Sequence, residues 1–99
     1  MTKKLRTQEV QELFEAILTL KNEEECFQFF EDVCTVNEVL SIAQRLAVAK
    51  MLRTKETYKD IAEKTGASTA TISRVNRALN YGNEGYDLVF ERLPKKKKK

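Results

Sequence analysis

Residues 57–79 read TYKDIAEKTGASTATISRVNRAL. This stretch has the pattern of two short helices joined by a glycine turn. The first helix is expected from Tyr58 to Thr65. Thr57 is placed to cap it, and Asp60, three residues on, lies near the positive end of its dipole. Ile61 and Ala62 form its buried face. Gly66 supplies the positive φ that a sharp helix exit needs. Ser68 is then the natural cap of the second helix, because its hydroxyl can accept from a free N–H of the first turn. Ala62 allows close helix crossing, and Ile72 and Val75 give the second helix an apolar stripe. The outer face is left with Thr69, Ala70, Thr71, Ser73, Arg74 and Arg77, which are small, polar and basic. A plain solvated hairpin would carry a Glu/Lys mixture there. Short polar groups approach base edges closely, and a threonine or alanine methyl can meet a thymine methyl. The stretch therefore reads as a helix-turn-helix whose second helix could enter a DNA major groove.

Charge is distributed in agreement with this reading. The net charge is +3, but the last five residues are all lysine, and residues 1–94 carry 13 basic and 15 acidic groups. Residues 1–52 hold 6 basic and 9 acidic groups, residues 53–77 hold 6 and 3, and residues 78–94 hold 1 and 3. Positive charge is concentrated where phosphate would use it. The chain is 99 residues long, 41% hydrophobic and 33% charged, with one proline and three glycines. That is one domain at most, with helix-rich usage.

Upstream, Thr7 is expected to cap a helix over 8–20, with Val10, Leu13, Phe14, Ile17, Leu18 and Leu20 at helical spacing, and residues 1–6 are read as loose. Asn22 and Glu25 form a capping-box pair opening a helix over 23–34, and Thr35 and Glu38 form another, opening a helix over 36–53. In the third helix the apolar positions are read as Val39, Leu40, Ile42, Ala43, Leu46, Ala47, Met51 and Leu52. The helix over 23–34 carries Cys26, Phe27, Phe29, Phe30, Val33 and Cys34, more apolar surface than one face needs, so a partner subunit is expected to cover part of it. Downstream, a last helix over 85–92 carries Tyr86, Val89, Phe90 and, just beyond it, Leu93. The fold class is all-α with six helices, a single domain over 1–94 and a disordered lysine tail over 95–99.

Cys26 and Cys34 on one helix would lie roughly 12 Å apart, too far for a disulfide, so both are expected to be reduced. With no histidine and two cysteines, a metal site is not expected. No membrane-length apolar run or signal-peptide core is present, which points to the cytoplasm.

The chain resembles the Trp repressor superfamily, and more closely the small Trp-repressor-like proteins of the YerC/YecD type. The resemblance covers residues 7–93. It rests on LRTKETYKDIAEKTGASTATISRVNRALNYG, Leu52 to Gly82, and on the preceding CTVNEVLSIAQRL. The segment GASTATISR lines up without a gap with GAGIATITR of Trp repressor. The resemblance implies a Trp-repressor-like fold interwound as a homodimer, and a transcriptional repressor reading a palindromic operator in double-stranded DNA. It places the DNA-reading positions on Thr69, Ala70, Thr71 and Ser73, and phosphate contacts near Tyr58 and Lys59. Ser68, Arg74 and Arg77 complete the candidate DNA-binding set.

The same resemblance bears on an effector. In Trp repressor two arginines hold the tryptophan indole. Arg74 matches one; Arg45 is a candidate for the other, with Gln44 competing for that position. A glycine and a serine that serve the ligand are replaced here by Val75 and Ala78. Tryptophan is therefore not expected as co-repressor, no cofactor is assigned, and the identity of any small-molecule effector stays open. Two other binding roles would use the same helix pair: docking to a protein, or architectural DNA binding without sequence preference. An enzyme is not expected, since the chain has no histidine, nucleophile elbow or phosphate-cradling glycine loop.

Overall fold

The computed structural model describes residues 3–94. Six α-helices follow a short 3-10 helix, Lys3–Leu5: α1 Gln8–Ile17, α2 Glu23–Val33, α3 Val36–Arg53, α4 Tyr58–Thr65, α5 Thr69–Tyr81 and α6 Gly85–Arg92. No strand occurs among the described residues. The all-α expectation holds, and the bounds of α3, α4 and α6 are those read from the sequence. The lysine tail lies outside the described residues.

Side-chain caps explain the helix starts. Thr7 Oγ1 accepts from the Val10 N–H at 3.1 Å, and Asn22 Oδ1 from the Glu25 N–H at 2.9 Å. The capping box at Asn22 is displaced by one residue, because Glu25 Oε1 accepts from the Lys21 N–H at 2.8 Å. Three expected boundaries are corrected. Residues 3–5 are wound rather than loose, and the Thr7 N–H donates to the Leu5 carbonyl at 2.9 Å. Helix α1 stops at Ile17 rather than at residue 20: the Thr19 hydroxyl turns back to the Ala16 carbonyl at 2.6 Å, competing with helix continuation. Helix α2 stops at Val33, since Cys34 is extended.

The chain divides into two compact units after Val36. In the first, α1 and α2 contain no buried residue, and Phe29 and Phe30 meet edge to face at 5.3 Å. Both cysteines are free thiols. In the second, Val48, Ala49, Ile61, Ala67, Ile72, Val75 and Leu79 form a closed core, with Met51, Leu52, Ala62, Tyr86 and Phe90 packed against it. Full burial of a side chain such as Ile61 or Ile72 contributes about 1.5–3 kcal/mol.

The face of α3 differs from the expectation. Val48 and Ala49, absent from the expected apolar set, are its only buried residues, while Leu40 and Ile42 are exposed. Apolar residues occupy so many positions of this helix that spacing alone does not select a face. Helix α3 ends in a Schellman-type exit: the Glu56 N–H donates to the Met51 carbonyl and the Lys55 N–H to the Leu52 carbonyl, both at 3.1 Å. Lys55 takes the left-handed conformation there, φ 65°, which costs a non-glycine residue about 1–2 kcal/mol. Glu84, φ 66°, does the same before α6.

Candidate nucleic-acid interface

The α4–turn–α5 stretch is held by a short chain of hydrogen bonds. Thr57 Oγ1 accepts from the Asp60 N–H at 3.1 Å and starts α4. At the other end the Thr65 hydroxyl donates to the Ile61 carbonyl at 2.7 Å and accepts from the Ala67 N–H at 3.1 Å. Gly66 has φ 76°, and its N–H donates to the Ala62 carbonyl at 2.8 Å. A Cβ at Gly66 would meet nothing within 4 Å, so the backbone angle, not space, calls for glycine. Ala67 then drops into the core, 4% exposed. Its burial was not anticipated; a small residue directly after the turn glycine is the only sequence signal for it.

Helix α5 opens at Ser68, whose Oγ accepts from the Thr71 N–H and donates to Thr71 Oγ1, both at 3.1 Å. Thr71 is half-buried, and its own hydroxyl proton is not used by this contact. Helix α5 buries Ile72, Val75 and Leu79, and leaves Ser68, Thr69, Ala70, Ser73, Arg74 and Arg77 exposed. Tyr58 and Lys59 are exposed in the first turn of α4. Among the described residues, Lys59, Arg74 and Arg77 make no ion pair, whereas Lys64 is engaged: its Nζ lies 3.0 Å from Glu56 Oε1. That hydrogen bond raises Lys64 above the usual lysine range. The available positive charge of the two helices is therefore carried by the candidate residues.

Helix α3 supports both helices with polar groups to which the sequence reading gave no such role. Gln44 Nε2 donates to the Thr65 carbonyl, in the last turn of α4, at 3.1 Å. Arg53 Nε donates to Asp87 Oδ1 at 2.9 Å, and Nη2 to Asp87 Oδ2 at 2.7 Å and to the Leu79 carbonyl of α5 at 3.3 Å. Hydrogen bonding to Arg53, helped by the attraction of its charge and opposed by partial burial, holds the Asp87 carboxyl below the usual carboxylate range.

The comparisons with known proteins agree with this geometry. The family model for Trp repressor protein matches residues 8–94. The chain belongs to the Trp repressor family. It is 58% identical over 90 residues to the uncharacterized protein YerC of Bacillus subtilis (strain 168), covering 91% of this chain and 86% of that one. A TrpR-like protein from Eubacterium eligens ATCC 27750, known from its crystal structure, superposes with a TM-score of 0.90 at 70% identity, over 92% of this chain and 94% of that one. The crystal structure of a candidate Trp repressor from Staphylococcus aureus gives 0.89 at 56% identity, over 93% of each chain.

The residues that the resemblance matched to the tryptophan ligands of Trp repressor differ in exposure. Arg74 is exposed on α5 and Arg45 is half-buried on α3. The Gln44 amide, which competes with Arg45 for that role, is already bonded to Thr65. Val75 is 1% exposed inside the core, and Ala78 is exposed on α5. Among the described residues no His, Cys, Asp or Glu group could hold a metal ion, and no helix is long and apolar enough to cross a membrane.

Proposed function

We propose that this member of the Trp repressor family is a sequence-specific DNA-binding transcriptional repressor. It acts as a homodimer and reads a palindromic operator through the major groove. The observation that carries the reading is the two-sidedness of α5. One side holds Ile72, Val75 and Leu79 in the core, and the other offers hydroxyl groups and unpaired arginines. Thr69, Ala70, Thr71 and Ser73 meet the base edges, directly or through water. Tyr58, Lys59, Arg74 and Arg77 meet backbone phosphate, and Ser68 sets the start of the reading helix.

The homodimer is supported by apolar side chains that the single chain leaves in water. Phe14, Phe27, Val33, Val36, Leu40 and Ile42 are each more than half exposed. A second copy would cover them and present two α5 helices to two half-sites one helical turn apart. Tryptophan is not the co-repressor in this reading. Val75 carries a branched side chain where the family has a glycine beside the ligand, and Ala78 has no hydroxyl to offer it.

Selection of bound duplexes from random-sequence DNA tests the function. A palindromic consensus is the expected outcome, and absence of enrichment would refute sequence-specific reading. Saturable tryptophan binding in the micromolar range, seen by calorimetry, would refute the statement about the co-repressor.

A further inference from the structure

We propose that Arg53 is a positioning residue for α5: its three bonds set the angle at which the reading helix is presented, and through it sequence discrimination. This inference rests on the DNA-reading function proposed above. Leu79 lies in the last turn of α5, where helix carbonyls lack intrahelical donors, and α5 has no basic residue of its own in that turn. Arg53 of α3 supplies both the missing donor and the missing positive charge. The rest of its guanidinium forms a two-bond fork on Asp87 of α6.

Gln44 lies nine residues earlier on the same helix and holds the C-terminal turn of α4 through the Thr65 carbonyl. Helix α3 thus grips both helices of the pair at their C-terminal ends. The apolar core beneath them holds α5 by packing Ile72, Val75 and Leu79, through an attraction that is not itself directional. A planar fork with a third bond is directional and fixes the rotation of α5. The Arg53 and Asp87 side chains are 41% and 44% exposed, and ion pairs in such settings add little stability. Their three bonds join α3, α5 and α6, and no other ion pair among the described residues does so.

The test compares two duplexes, one selected by the wild-type protein from a random pool and one shuffled duplex of the same length, over a series of salt concentrations. Arg53→Gln is expected to weaken binding to the selected duplex about tenfold, comparable to one mismatched base pair, and to the shuffled duplex less than about twofold. The salt slope is expected to stay unchanged, since no phosphate contact is lost. Asp87→Asn, which leaves the Arg53 charge in place, is expected to give the same selective loss, and the double variant no more than either single one. Equal loss on both duplexes, a reduced salt slope for Arg53→Gln, or tighter binding by Asp87→Asn would overturn the proposal and make Arg53 a phosphate ligand. Discrimination equal to wild type in both variants would overturn it as well. A wild-type protein that selects no duplex would overturn the proposed function and this inference with it, an outcome distinct from intact selection by the variants.

Discussion

The two units of the chain differ in how they treat apolar side chains: among the described residues the second alone has a buried core, although it too exposes Leu40 and Ile42. The unit after Val36 sinks Val48, Ala49, Ile61, Ala67, Ile72, Val75 and Leu79 into one core. The unit before it has Phe14, Leu18, Phe27 and Val33 at helical spacing, yet all are more than half exposed. Both contain Leu, Ile and Val, and four of the five phenylalanines, Phe14, Phe27, Phe29 and Phe30, lie in the open unit. The difference is whether the chain itself supplies the opposing surface. The closed unit carries the helix-turn-helix, so the candidate reading head is built within one chain. The open unit has apolar surface available for another molecule, and we assign it to a second copy.

The contrast can be broken first at its strongest point. Ile72→Ala removes a fully buried side chain from the closed core and is expected to lower stability by about 2–5 kcal/mol in denaturant titration. A loss under about 1 kcal/mol would mean that the core is not closed. On the open side, Phe27→Asp should leave helicity intact while weakening self-association by about 2 kcal/mol or more, as truncated interface anchors do. Sedimentation equilibrium would show it as a shift from dimer to monomer; equal masses for the two proteins would assign Phe27 no part in the interface.

Gly82→Ala probes the α5–α6 connection. A Cβ there would stand 2.5 Å from the Ala78 carbonyl oxygen, a backbone atom, and relief requires moving the end of α5. Thermal unfolding should report a loss of about 1–3 kcal/mol. The smallest expected effect concerns pH. The folded Asp87 carboxyl titrates below its unfolded counterpart. Its contribution is present above the unfolded value of about 4 and is lost as pH falls through the lower folded value. Asp87→Asn should therefore lower the melting temperature slightly above about pH 4, and the difference from wild type should shrink as pH falls below that value, which flattens the acid limb of the profile. An unchanged limb would mean that Asp87 contributes nothing to it.

Much of the architecture was legible because it is local. Thr7, Asn22, Thr57 and Ser68 each declare a helix start within three residues of the group they bond, and Gly66 declares the turn by its own backbone angle. The exposed set on α5 could be read from helical spacing once Ile72 and Val75 were placed inside. Two things were not legible. The buried face of α3 is set by its packing partners, because its own sequence is apolar on several sides. The Arg53–Asp87 fork joins residues 34 apart, and nothing near either residue identifies the other. Long-range polar pairs of this kind leave no period in the sequence, and neither does the Gln44–Thr65 bond across 21 residues.

The turn between α4 and α5 has a consequence for the double helix it would meet. Thr65, Gly66 and Ala67 are each pinned, by a hydroxyl, a left-handed angle and a buried methyl in turn. Such a corner has little freedom to open or close, so the spacing of α4 and α5 is a fixed gauge. When a fixed gauge meets DNA, the duplex must supply the compliance. Sites rich in easily kinked pyrimidine–purine steps would then be preferred even at base pairs that no side chain reaches, and stiff A-tracts across those steps would be disfavoured.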